Sequence, residues 1–194
     1  MTTPDRPRVV IVEDQALVRE GLRLVLERHD FEIVGEAGDG EDLVRKARAH
    51  GPDVVVADIR MPPTQTDEGL RAALAIRAAA PDIALMVLSQ HVQRRYAQEL
   101  LAQAGEGGGI GYLLKQRVVH GEAFCADLRQ VCAGRSVLDA EVVAGILSRA
   151  PLDRLSEPLR DVLALMAEGR SNAAIAQRLV LSEKAVVKRV SRVY

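Results

Sequence analysis

The run from Val54 to Ala57, three valines and an alanine with no polar residue among them, leads directly into Asp58 within "DVVVADIRMP". A half-exposed strand alternates apolar and polar residues. An unbroken β-branched run suits instead a strand covered on both faces, as in a parallel sheet packed between helices. Open sheets of that kind carry their chemistry at the carboxyl edge. Asp58 is therefore expected there as a reactive carboxylate, and the chain around it must supply further buried strands, helices to cover them, and groups that serve an acid at that edge.

Those strands are legible. "RVVIVED" (Arg8 to Asp14) is a buried strand that also ends in acid, "FEIVGEA" a third, "IALMVLS" (Ile83 to Ser89) one that ends in a hydroxyl, and "IGYLLK" one that ends at Lys115. Between them lie helical patterns. Leu17, Val18, Leu22, Val25 and Leu26 recur at helical spacing, "EDLVRKARAH" closes at Gly51 and Pro52, a helix runs from about Glu68 to Ala80, and others cover "QRRYAQELLAQA" and about Val119 to Ala133. Five strands alternating with five helices predict an α/β fold, a doubly wound five-stranded parallel sheet over residues 7–134. Residues 135–151 read as a linker helix region.

Residues 152–194 differ in kind. Ser156 can cap a helix with Val162, Leu163 and Met166 on its buried face, and Gly169 ends it; "SNAAIAQRL" is a second short helix and "VLS" a tight turn. In the last helix, "EKAVVKRVSRVY", Val186, Val190 and Val193 fall on one face and Lys184, Lys188 and Arg192 on another. Two helices, a short turn and a basic amphipathic helix make a small all-α helix-turn-helix domain.

Charge follows the same division. The chain holds 26 basic and 27 acidic residues, yet from Leu152 onward eight Lys and Arg face five Asp and Glu, so only this end is suited to a polyanion. The start, "MTTPDRPR", has no apolar segment behind its charges, and no apolar run approaches the roughly 18 residues that span a bilayer. The expectation is a cytoplasmic protein with no membrane partner. Cys125 and Cys132 read as buried thiols, and the four histidines, His29, His50, His91 and His120, lack transition-metal spacing.

Glu13, Asp14 and Asp58 at two strand ends form an oxygen-rich set suited to a hard divalent ion such as Mg2+. Three clustered acids repel one another, so a cation or a lysine must keep them ionised, and Lys115 is the basic residue at a strand end. With the Ser89 hydroxyl the group is equipped to receive and hold a phosphoryl group on Asp58.

This set resembles the receiver domain of two-component response regulators, which is flavodoxin-like, and the tail resembles the LuxR-type DNA-binding domain of the NarL subfamily. The resemblance implies that Asp58 is the phosphoacceptor, that Glu13, Asp14, Asp58 and the carbonyl of Arg60 hold magnesium, that Lys115 pairs with the phosphoryl group, and that Ser89 and Tyr112 are the switch pair. It implies a sensor histidine kinase as phosphoryl source, promoter DNA as target, a homodimer as working form, and a regulator of transcription rather than an enzyme. His91, two residues after Ser89, either lies over the site and alters dephosphorylation or is a solvated residue at a helix start.

The candidate DNA contacts are Lys184, Val187, Lys188, Arg189, Ser191 and Arg192 on the last helix, with Ser171 and Asn172 at the start of the helix before it. Relatives usually carry a polar residue at position 187, a histidine at 189 and an acid at 159, where this chain has Val, Arg and Leu. The loop after Asp58 has an unusual "PPTQTDEG" insertion, expected to reshape the approach of a kinase or a dimer partner. Relatives also continue beyond the position of Tyr194 through one more helix, so a truncated chain with weakened or lost DNA binding is expected. Two rivals remain: a DNA-binding regulator not controlled by phosphate, and an aspartyl-phosphate phosphatase or phosphotransferase. Such enzymes carry a second aspartate two residues after the first, where this chain has Arg60. A chain acting by protein contacts alone is a further possibility.

Overall fold

The computed structural model describes residues 6–103, 107–147, 157–168 and 170–191. The expected Ser156 cap and Gly169 helix stop, Val193, and the DNA contact Arg192 lie outside the described residues, and of Arg189 and Ser191 the backbone alone is described.

The apolar runs form strands β1 (Arg8–Val12), β2 (Glu32–Ala37), β3 (Val54–Asp58), β4 (Ala84–Ser89) and β5 (Ile110–Leu114). Every residue of β3, β4 and β5 is buried, the pattern that an unbroken apolar run predicts for strands covered on both faces. With a short sixth strand, β6 (Ser136–Leu138), the order is β2-β1-β3-β4-β5-β6, with all pairs parallel. The order reverses between β1 and β3, which leaves a crevice at their carboxyl ends and puts Glu13, Asp14 and Asp58 around it.

Helices α1 (Ala16–Arg28) and α5 (Gly121–Cys132) cover one face, packing Leu22, Leu26, Phe124 and Leu128 against Val9, Ile11, Val54 and Val56. Helices α2 (Gly40–His50), α3 (Glu68–Ala79) and α4 (Arg94–Leu101) cover the other, where Leu43, Leu70, Ile76 and Leu100 meet Val10, Val12, Val55 and Leu85. The one-residue alternation of the two core lists along β1 and β3 is the pleat itself.

The sheet has six strands where five are expected. After α5, Gly134 turns the chain at φ 79 and Ser136–Leu138 pairs as β6 with β5, Tyr112 opposite Leu138. Three residues are too few to show a strand period, and their pairing is supplied by β5 rather than by local propensity. The expected linker helix follows as α6 (Ala140–Leu147), which packs against α4 and against α7 (Glu157–Ala167). A short 3-10 helix, Lys115–Val119, occupies the turn between β5 and α5. Beyond α7, helices α8 (Asn172–Arg178) and α9 (Glu183–Ser191) complete the helix-turn-helix, with Val162, Leu163, Met166, Ile175 and Val186 buried among the three.

Two backbone positions limit substitution in opposite directions. At Gly69 a Cβ would fall 1.7 Å from the Asp58 carbonyl oxygen, so α3 approaches the site strand as only glycine allows. Val180, in the turn before α9, has φ 53 and is 92% exposed, so a β-branched residue bears left-handed strain with no packing in return. In denaturant unfolding, Gly69→Ala is expected to lose about 2–3 kcal/mol. Val180→Gly is expected to gain about 1 kcal/mol. A neutral Gly69→Ala or a destabilising Val180→Gly contradicts this account.

Candidate functional site

Each strand delivers its last polar residue to the crevice because the apolar run before it is buried and ends there. Asp58 closes β3, Glu13 and Asp14 follow β1, Ser89 closes β4 and Lys115 follows β5. Glu13, Asp14 and Asp58 each present a carboxylate oxygen within 4.8 Å of the other two. Glu13 is fully buried and Asp58 is 5% exposed, so both acids are held out of water.

Lys115 joins them. Its ammonium donates to Glu13 Oε2 at 2.6 Å and to Asp58 Oδ2 at 2.8 Å. Burial raises the pKa of Glu13, with Lys115 pulling the other way and the Asp58 charge reinforcing the rise. Asp58 is likewise raised, first by burial, against the opposing pull of Lys115. Burial works against the Lys115 charge too, but its hydrogen bonds to the two carboxylates prevail and its pKa is raised. The backbone around the acids is tied as well: Gln15 N–H donates to Glu13 Oε1 at 3.3 Å, and Arg19 donates to the Glu13 carbonyl.

Above Asp58 lies a cavity of about 160 Å3 lined by Gln15, Asp58, Arg60, Gln65, Ser89 and Gln90. The structure thus brings together Glu13, Asp14, Asp58, Arg60, Ser89 and Lys115. Tyr112 lies fully buried in β5, and its hydroxyl donates to the His91 carbonyl at 3.5 Å, the same oxygen that accepts from Ser89 Oγ at 2.7 Å. The His91 side chain is exposed; its backbone, rather than its imidazole, meets the site residues.

Gln65 is the residue that sequence reasoning missed. It lies in the insertion after β3 and donates through Nε2 to Asp14 Oδ2 at 2.9 Å, across 51 residues of chain. Only the insertion itself marks the place in sequence. The loop is exposed from Pro62 to Thr66, and through Gln65 it reaches the site.

The helix-turn-helix presents a second surface. On α9, Lys184 and Lys188 are exposed, Val187 is half-buried and Val186 is buried, so the basic and apolar faces separate as the spacing predicts. Ser171 caps α8, accepting from the Ala174 N–H at 3.3 Å. Asn172, expected beside it as a phosphate contact, is 2% exposed and faces inward, because the first turn of α8 packs that position into the three-helix core.

The raised pKa of Asp58 has a consequence for stability. A carboxyl whose folded pKa lies above its ordinary 3.8 favours the fold below that value, and the benefit is lost as pH rises through the folded pKa. At neutral pH the buried charge therefore costs stability. Asp58→Asn is expected to stabilise the protein near pH 7 and to have no such effect at pH values below the ordinary 3.8, as read from urea midpoints across pH. A gain that grows toward acid would reverse the sign of this account.

Comparison with known proteins agrees with these two surfaces. Residues 9–118 match the response regulator receiver domain and residues 153–194 the bacterial regulatory proteins of the luxR family. The uncharacterized transcriptional regulatory protein YxjL of Bacillus subtilis (strain 168) is 32% identical, over 97% of this chain and 88% of its own. The DNA-binding transcriptional activator DevR/DosR of Mycobacterium tuberculosis is 30% identical over 95% of this chain and 85% of its own. Among solved structures, the ChrA regulator of a heme-sensing two-component system is 30% identical with a TM-score of 0.55, covering 96% of this chain and 88% of its own. RcsB in complex with DNA is 25% identical with a TM-score of 0.61, over 95% and 88%. The chain belongs to the NarL/LuxR-type response regulators, transcription factors that join a receiver domain to a LuxR-family helix-turn-helix.

Proposed function

We propose that Asp58 is the phosphoacceptor of this regulator and that a sensor histidine kinase is its phosphoryl source. The observation that carries the reading is the Lys115 ammonium shared between Glu13 and Asp58, the Asp58 carboxyl itself lining a cavity with Ser89 and Arg60. An Asp58 carboxylate oxygen attacks the phosphorus of the kinase's phosphohistidine. The O–P bond forms as the P–N bond breaks, and the electron pair leaves with the imidazole, which takes a proton from solvent. Lys115 turns from Asp58 toward the new phosphoryl oxygens, a charge-assisted contact made in a partly dry site.

The all-oxygen donor set of Glu13, Asp14 and Asp58 fits a hard divalent ion, and Mg2+ is the ion we assign, with the Arg60 carbonyl as its further ligand by the family resemblance. Bound there, Mg2+ supplies charge that offsets the phosphoryl oxygens. Arg60 stands where related phosphatases carry a second aspartate, which supports a receiver that holds its phosphoryl group rather than a dedicated hydrolase.

The signal leaves through Ser89 and Tyr112. Both hydroxyls meet the His91 carbonyl, so a Ser89 hydroxyl drawn to the phosphoryl group frees that oxygen for Tyr112. The altered packing at Tyr112 reaches β6, which pairs with Tyr112 through Leu138, and α6 behind it. The outcome is a shifted population of homodimers competent for promoter DNA, with α9 in the major groove and Lys184 and Lys188 on phosphates. We place this activity in the cytoplasm, with the DNA. Among the described residues no helix is long and apolar enough to cross a membrane.

Incubation with a small-molecule phosphoramidate, followed by intact mass, tests the acceptor. Wild type is expected to gain one phosphoryl group, Asp58→Asn none, and Lys115→Ala to react about 100-fold more slowly. Incorporation by Asp58→Asn equal to wild type contradicts the assignment.

A further inference from the structure

We infer that Gln65, in the insertion after β3, is a positioning residue of the cation site, holding Asp14 at the angle from which it ligates. The inference rests on the reading of Glu13, Asp14 and Asp58 as a cation site, and it assigns a part to a loop that lies outside the strand-end set.

Each of the three acids is held by a hydrogen bond, two of them by the same lysine. Glu13 is fixed by Lys115 and the Gln15 N–H, and Asp58 is fixed by Lys115. Asp14 is reached by neither of these; its carboxylate accepts from Gln65 Nε2 at 2.9 Å. That hydrogen bond engages Oδ2 and leaves Oδ1 to a cation. Because the cavity over Asp58 is also lined by Gln65, the amide borders the space where phosphoryl group and ion must meet.

An exposed glutamine gains little from a single surface hydrogen bond if its backbone is loose, since ordering the side chain costs about as much. Here the backbone is built. Gln65 N–H donates to the Met61 carbonyl at 2.9 Å, and the Glu68 carboxylate accepts from Thr64 N–H at 3.2 Å, Thr66 N–H at 3.0 Å and the Thr64 hydroxyl. The Thr64 hydroxyl foremost, with those N–H groups, keeps Glu68 ionised by lowering its pKa to about 2. The loop thus closes around one carboxylate and carries Gln65 at its apex with φ 58, a conformation that a long L side chain adopts only where its surroundings impose it. Behind it, Asp67 is buried and paired with Arg71 at 2.9 Å, and Thr66 accepts from the Tyr96 hydroxyl of α4 at 3.5 Å. A residue held this firmly outside the ligands, donating to one of them, is placed as groups that orient metal ligands are placed; loss of such a group costs about 10- to 100-fold in metal affinity.

Calorimetric titration of the full chain with Mn2+ and with Mg2+ alone tests this on wild type, Gln65→Met and Gln65→Asn. Methionine keeps the length without the donor, and asparagine keeps the donor one methylene short. Both are expected to weaken binding about tenfold without lowering the melting temperature of the cation-free protein. Affinity within twofold of wild type in either variant overturns the inference, as does a weakening that comes with a lower cation-free melting temperature, which assigns Gln65 to loop folding alone. If wild type binds neither ion, the cation reading itself fails, and the inference with it.

Discussion

The bridge from Lys115 to Glu13 and Asp58 is the contact on which the rest of the receiver depends. It closes strands that lie far apart in sequence, since Lys115 is 102 residues from Glu13 and 57 from Asp58. It also determines the chemistry. Two carboxylates held out of water repel one another and resist ionisation, and one ammonium between them keeps the set charged without neutralising it. A fold optimised for stability alone would put an apolar residue there. On the proposed reading, a charged Asp58 next to a movable lysine is ready for a phosphoryl group, and stability lost at such sites is the usual companion of function.

A continuous chain of contacts runs from the neighbourhood of this bridge toward the helix-turn-helix. The Ser89 and Tyr112 hydroxyls share a carbonyl, Tyr112 shares a ladder position with Leu138 of β6, and β6 runs within two residues into α6, which lies against α4 and α7. Arg117, two residues beyond Lys115, ties to Asp127 of α5 at 3.1 Å and approaches Asp139, which stands between β6 and α6, at 3.9 Å. The segment that reads as a spacer is therefore stitched into the receiver sheet close in sequence to Lys115.

Much of this was legible from the residues because burial and chemistry coincide along each strand. The runs before Glu13, Asp58, Ser89 and Lys115 announce buried parallel strands, and their ends announce the crevice, so fold and site emerge from one pattern. What escaped that reading is non-local or too short. β6 has three residues and takes its order from β5. Gly69 shows its importance only when the Asp58 carbonyl is seen where its Cβ would go. Gln65 meets Asp14 across 51 residues, from a loop that the sequence marks as an insertion but does not tie to the acids. Asn172 follows the cap of α8 in sequence, yet helical rotation turns it into the core.

The central claim is that occupation of Asp58 is felt by the DNA-binding helices. The most direct measurement is promoter-DNA affinity of the full chain at fixed salt, with and without beryllofluoride as phosphoryl mimic, for wild type and Asp58→Asn. The account predicts a change of about 5- to 150-fold on adding the mimic to wild type and none in Asp58→Asn. Equal affinity with and without the mimic in wild type would contradict it.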